Sequence, residues 1–541
     1  MSQFTSELAS AMQQLYNDDV YRRVAAAKNI LRIGSSSDGL TEITQSETIL
    51  GILARIQREE TKILTDLPIA IACVFLSLAS HPQYHEILRQ NRCGDVCLRS
   101  LEFELYRFLP SPELVDLQDR LMHICLAVLY LLSEDRAVER KTIGRGMIPL
   151  LVKLTLTRKD PELVHLALKF LLRASVIEDY KDQIIQSGSG EAVVNFAMLT
   201  DGLTGPIAMK LLFNLSLDEH GNRQISRSKL SGIIPDVLRV PNLRAGVVRL
   251  LSLLPELEIC SEALLLLMQM SVVFPGDSIP EELAACIGNF SASSAGATAV
   301  GESLMFCDLV KRGLKKIPSD SRIFQILKNV VCSSRGRSAA LINLNRKYLN
   351  WFDELLSSLN KTEGLALVPL LGFATGLIAA SLESPSGSSS ISSSISTFWK
   401  SGVLKNLLIN SIGHSNLEIS SSASAFIAVL ARLIPGKDVI RALATAASRN
   451  PTCPTLNALG IILTTEPGLA ALITRNEISR FLDSANAGVI EPLEVVIKIW
   501  VAAGPSVGAE DASNELIERL REIRFARFCF AALNEFELME S

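Results

Sequence analysis

The apolar positions of this chain recur at helical spacing, and the helical runs themselves recur at a second, longer spacing. Residues 129–133 (LYLLS), 170–175 (FLLRAS) and 211–216 (LLFNLS) each set large apolar side chains before a closing serine, at Ser133, Ser175 and Ser216 in near-equal steps. Residues 286–291 (CIGNFS) and 327–333 (LKNVVCS) carry the series to Ser291 and Ser333, with room for two steps between 216 and 291. A recurrence of about 40 residues is the mark of stacked helical units, each with an apolar face that it cannot bury alone. Stacking yields a long surface rather than a pocket, which favours a binding scaffold over an enzyme.

Between these landmarks, residues 146–154 (GMIPLLVKL), 190–199 (GEAVVNFAML) and 232–240 (GIIPDVLRV) open on Gly146, Gly190 and Gly232. Each Gly is expected to end one helix, and Pro149 and Pro235 to sit near the start of the next, where a missing N–H is harmless. This is the grammar of armadillo repeats. It predicts an all-α, armadillo-like α-solenoid, a right-handed superhelix whose landmark helices line the concave face. Asn214, Asn289 and Asn329 would project from the middle of those helices. Two readings of them stand: amides that clamp the N–H and C=O of an extended peptide, or amides that satisfy loop carbonyls of the adjacent repeat. Lys210 and Lys328 on the same helices, and Arg335 and Arg337 just beyond, are candidate contacts for an acidic partner. Lys311, Arg312, Lys315 and Lys316 form a further basic cluster, whose plainer reading is a solvated helix face.

The expected organisation is an N-terminal helical block at 1–105, a central repeat array at 119–382, a Ser-rich loop at 383–396 (ESPSGSSSISSSIS), divergent helical repeats at 397–510 and a C-terminal cap or tail at 511–541. Residues 106–115 (YRFLPSPELV), with two prolines, would separate the first two. Residues 365–382 (LALVPLLGFATGLIAASL) run without a charge, close to the length of a membrane span; in a solenoid the same stretch reads as a buried helix pair broken near Pro369. Phe525, Phe528 and Phe530 cluster in the tail, where they would cap the last repeat or dock a partner.

Composition narrows the function. Hydrophobic residues make up 48% of 541 and aromatics only 6%, which suits layered helices better than a β-sandwich. A net charge of −4 leaves no basic footprint for nucleic acid. Ten cysteines, most within apolar runs, point to a reducing compartment, and the N-terminal residues carry no secretory or mitochondrial pattern, so the cytoplasm is expected. His81, His85, Cys93 and Cys97 hold zinc-type ligands at spacings of four, but Pro82 and the apolar setting of Cys97 favour packing or capping. Ser187 to Gly190 lacks the third Gly and the preceding strand of a dinucleotide loop, and no catalytic constellation, cofactor motif or metal site is predicted.

Residues 14–33, 47–60 (ETILGILARIQREE), 81–97 and 131–141 (LLSEDRAVERK), followed in order by 211–223 (LLFNLSLDEHGNR), 286–293 (CIGNFSAS) and 327–330 (LKNV), resemble the kinesin-associated protein family, the non-motor accessory subunits of heterotrimeric kinesin. Residues 524–541 resemble that family's closing segment. Set against that family, the N-terminal extension is expected to be absent, and the long charged insertion near 107–118 to be reduced to a Pro-containing connector. The resemblance implies a scaffold that binds the tails of two kinesin heavy (motor) chains and joins them to cargo adaptors, with a place on the cytoskeleton and in cilia or flagella. A generic armadillo adaptor of catenin type is the alternative. Import-type armadillo adaptors place Trp beside the groove Asn residues, whereas here the tryptophans are Trp351, Trp399 and Trp500.

Overall fold

The computed structural model describes residues 3–465, apart from short stretches at 47, 60–65, 109–110, 198–203, 318–319, 349, 384–387, 435 and 450–452, together with isolated positions between 473 and 499. Among the described residues there are helices and no strand. The helices come in threes. In the repeat spanning 136–174, Arg136–Ile143 is capped by Asp135, whose carboxylate accepts from the Ala137 N–H. Gly146, at φ +86°, turns the chain into Met147–Thr157. Asp160 then caps Pro161–Ala174, with Pro161 in the first turn where its lost N–H has no helical partner.

Chain contacts divide the protein into two compact units, Met1–Cys260 and Ser261–Ser541. In the first, third helices pack on one another in a row: Val20–Ile33, Asp66–Ala79, Pro112–Leu132, Pro161–Ala174, Thr204–Ser216 and Pro241–Ser252. In the second, the row is Glu281–Ala292, Ser321–Cys332, Leu367–Glu383, Leu417–Leu433 and Cys453–Thr465. Second helices form a separate row in each unit, including Ile49–Glu59, Cys93–Tyr106 and Met147–Thr157 in the first. Every third helix therefore meets its equivalent, which is what an apolar face recurring once per repeat requires.

The landmark serines end the third helices. Ser133, Ser175, Ser216 and Ser291 each donate Oγ–H to a carbonyl three or four residues back, at 2.6, 2.7, 2.8 and 2.9 Å, so a buried hydroxyl is satisfied within its own last turn. Ser333 belongs to a different register. It caps the following helix by accepting from the Gly336 N–H, as Ser293 does from Gly296, so the equivalent of Ser333 in the preceding repeat is Ser293 and not Ser291.

Several boundaries differ from the sequence expectation. The proline-bearing connector after Tyr106 lies between the second and third helices of one repeat, and the compact units part at Cys260, inside the stretch 119–382. The connector is pinned by Gln118, whose Nε2 donates to the carbonyls of Glu104 (2.6 Å) and Arg107 (3.1 Å), and by Arg158, which bonds Gln118 and Asp119. The Ser-rich stretch is no loop from Ser388 onward, because Ser388–Lys400 is a helix whose Ile391, Ile395 and Trp399 are buried at four-residue spacing. Leu367–Glu383 is one continuous helix, since Pro369 falls in its first turn. Together with the 3-10 turn Gly364–Ala366 it is long and apolar enough to cross a membrane, yet more than half of that apolar stretch is buried within the fold. Its glycines have a packing reason: a Cβ at Gly376 would lie 2.4 Å from Val331, and one at Gly372 would lie 3.0 Å from the Lys328 stem.

Gly146 turns the chain as predicted, but Gly190 and Gly232 lie inside helices, and Gly188, at φ +71°, makes the second turn. Pro235 is an interior residue of Leu230–Arg239. The left-handed position before the second helix is Gly at 146, 188 and 402, and Arg92 at the equivalent place, with φ 58°. An L side chain there costs about 1–2 kcal/mol. Arg92→Gly is therefore expected to stabilise the first unit by about 1 kcal/mol, read as a rise in its urea midpoint.

Candidate partner-binding surface

The third-helix row of the first unit carries a groove with one built hollow. Pro161–Ala174, Thr204–Ser216 and Pro241–Ser252 enclose about 370 Å³, floored by Leu172, Met209, Phe213 and Leu243 and rimmed by Lys210, Asn214 and Arg249. A Cβ at Gly246 would lie 3.0 Å from the Met209 side chain, so glycine at that position lets the outer helix approach the floor. The chemistry is an apolar seat with two cations and amides at its mouth, suited to an apolar side chain carried on an acidic segment.

Two of the three predicted asparagines have a structural task. Asn214 Nδ2 donates to Ser175 Oγ at 2.9 Å, reaching the landmark serine of the preceding repeat. Asn329 Nδ2 donates to the Gly288 carbonyl at 3.2 Å, the same oxygen that accepts from Ser291 Oγ. Both amides thus bind the end of the neighbouring third helix, one at a hydroxyl and one at a helical carbonyl, rather than at a loop. Asn214 lines the hollow, and among the described residues its amide has no hydrogen bond beyond the one to Ser175. Asn289 is half-buried on Glu281–Ala292.

Of the predicted cations, Lys210 is exposed at the hollow and Arg335 is exposed on the first helix of its repeat. Lys328 lies half-buried, its stem along Gly372 of the next third helix. Arg337 is tied to Glu383, with its Nε 3.3 Å from one carboxylate oxygen. The structure does not bring these residues to the hollow of Lys210. Phe525, Phe528 and Phe530 lie outside the described residues. The basic cluster at 311–316 is largely structural: Lys316 pairs with Asp277 at 2.8 Å, and Arg312, whose side chain is only 10% exposed, donates to the carbonyls of Val272, Phe274 and Gly276.

The zinc-type set does not assemble. His81 is exposed, His85 Nε2 is 2.7 Å from the Ala79 carbonyl, and Cys93 and Cys97 are buried. Burial pushes the Cys93 thiol up to about 12, while a hydrogen bond with Cys125, followed by burial, raises Cys97. Such thiols pack rather than ligate or react. Among the described residues, the grouping with metal-ligand spacing is Glu178, Asp182 and Asp218, and Asp218 is engaged in capping His220 and Gly221. The hollow near Lys210, with Met209, Leu243 and Arg249, was missed in the sequence because its walls come from three repeats whose facing positions are set by packing.

The three-helix repeat, with its row of third helices forming a groove, defines an armadillo-type, all-α solenoid. A solved structure described as concerning the interaction between cadherin and β-catenin is similar to it, with a TM-score of 0.51 and 14% identity over 93% of this chain and 92% of that one. An engineered protein is 14% identical over 92% of this chain and all of its own, with a TM-score of 0.44. The sequence model of the kinesin-associated protein family matches residues 5–118 and 111–363. The chain belongs to the kinesin-associated protein family.

Proposed function

We propose that this chain is the non-catalytic accessory subunit of a heterotrimeric kinesin, binding the tails of two motor chains and joining them to cargo adaptors for microtubule-based transport, in cilia and flagella among other places. The family match over residues 5–363 is the observation that carries this reading. The groove supports it with a mechanism. A motor-tail segment would seat an apolar side chain on Met209 and Phe213, with flanking carboxylates meeting Lys210 and Arg249 and the free edge of Asn214 holding its backbone. Affinity would build from many modest contacts along the row, so one substitution elsewhere on the surface would do little.

The test is a titration of purified motor-tail fragments against the full chain. Lys210→Glu with Arg249→Glu is expected to weaken the groove-bound tail about tenfold or more at low salt, with a smaller loss at high salt. Unchanged binding in that variant would remove the groove from the mechanism. Failure of both tails to bind the unaltered chain would remove the function itself.

A further inference from the structure

Away from the groove, the first unit exposes aromatic surface that its own core does not use. The described residues include five exposed aromatic side chains, Tyr16, Tyr21, Phe103, Tyr106 and Phe108, and the last three of these are close neighbours in the chain. Phe103 is 43% exposed, Tyr106 62% and Phe108 91%. The Cys93–Tyr106 helix buries Val96, Cys97, Leu101 and Leu105 on one side. Arg99, Phe103 and Tyr106, spaced by four and three residues, share the opposite stripe.

The neighbouring second helix, Met147–Thr157, widens this face. Its Lys153 ammonium stands 3.4 Å from the Tyr106 ring centroid, and Leu156, one turn further on, is 60% exposed. The Arg107 guanidinium stands 4.5 Å from the Phe103 centroid. Arg99, Glu102, Phe103, Tyr106 and Arg107 line a shallow hollow of about 420 Å³. These cations over ring faces hold the aromatics in place; Arg107 is paired with Glu104 at 3.3 Å, so the charge offered to a partner is that of Arg99 and Lys153. Arg99 and Lys153 have no carboxylate partner among the described residues, and Glu102 is the one carboxylate at the hollow.

An aromatic patch ringed by basic side chains is the composition of a protein-docking surface, where Tyr and Arg anchor and apolar contact excludes water. We propose that this second-helix face docks an acidic amphipathic helix of a partner protein. Its apolar side chains would lie on Phe103, Tyr106, Phe108 and Leu156, and its carboxylates would meet Arg99 and Lys153. The charge of the rim selects the partner's sign, and the helical stripe of the receiving face selects its form. This surface is separate from the groove and stands whether or not the motor tails bind there.

The experiment uses the full chain and a synthetic fluorescent peptide of about 15 residues, helical, with Leu and Phe on one side and Glu on the other. A twin with every Glu replaced by Lys serves as control. Saturable anisotropy is expected with the acidic peptide and not with the basic twin. Phe103→Ala with Tyr106→Ala, and separately Arg99→Glu with Lys153→Glu, are each expected to weaken binding about tenfold or more, with the urea midpoint unchanged. Absence of saturable binding, equal binding of the basic twin, or retained affinity in either variant would overturn the proposal. A concentration-dependent dimer of the unaltered chain that the aromatic variant abolishes would instead assign the face to a second copy, which also overturns it.

Discussion

Gly296→Ala is expected to destabilise the second unit by about 3 kcal/mol. A Cβ at this position would lie 1.9 Å from the Phe290 carbonyl oxygen and 2.8 Å from its carbon, so the fold has to shift backbone rather than a flexible side chain. The same geometry recurs at the third residue of the helix that follows a landmark. Gly39 faces the Ile33 oxygen at 1.9 Å, Gly221 faces Leu215 at 2.1 Å and Gly336 faces Val330 at 2.3 Å. In each case a Ser or Asp three residues earlier caps the helix and draws its first turn onto the end of the preceding one. Gly232 is the control, because its Cβ would meet nothing within 4 Å. Gly232→Ala should be neutral or stabilising by up to about 1 kcal/mol. Hydrogen exchange of the second unit in Gly296→Ala and of the first unit in Gly232→Ala, each against the unaltered chain, measures the difference, and unchanged exchange of the second unit would show that the tight turn can relax.

Arg312→Ala is expected to cost the second unit about 4 kcal/mol. The guanidinium donates to Val272 O at 3.2 Å and Gly276 O at 2.8 Å as well as to Phe274 O, fixing the irregular segment that leads into Glu281–Ala292. Its Nε lies 3.6 Å from Asp320 Oδ2, and Asp320 is fully buried, where the same oxygen accepts from the Ile279 N–H at 3.2 Å. Removing the cation leaves three carbonyls and a buried carboxylate without their partner. Adding Asp320→Ala to the variant should cost less than the sum of the two single losses. Because the protein has two compact units, hydrogen exchange across residues 261–332 is the appropriate measurement. Exchange there as slow as in the unaltered chain would contradict this account.

The fold class was legible because a recurrence of this length has few structural solutions, and the landmark serines mark real helix ends. The caps and turn glycines are written as plainly, in residues 36–39 (SSDG), 218–221 (DEHG), 293–296 (SSAG) and 333–336 (SSRG), but a period drawn on the closing serines does not coincide with them. Ser333 falls on the cap position and so stands out of register with Ser291. The Ser-rich stretch misled through its composition, although Ile391, Ile395 and Trp399 carry a helical stripe through it. Arg312 could not be told from Lys311, Lys315 or Lys316 by sequence, since its burial depends on three carbonyls of an irregular segment in the preceding repeat. Asn214, Asn289 and Asn329 lie on third helices, and the bonds that Asn214 and Asn329 make to the preceding repeat depend on how closely those helices stack.

The central claim is membership of a motor complex, and its most direct test is purification of the tagged full chain from its native cell at low salt, with the co-purifying chains quantified. The account predicts two different kinesin heavy chains, each in equal amount to this chain. Recovery without any kinesin heavy chain would contradict it.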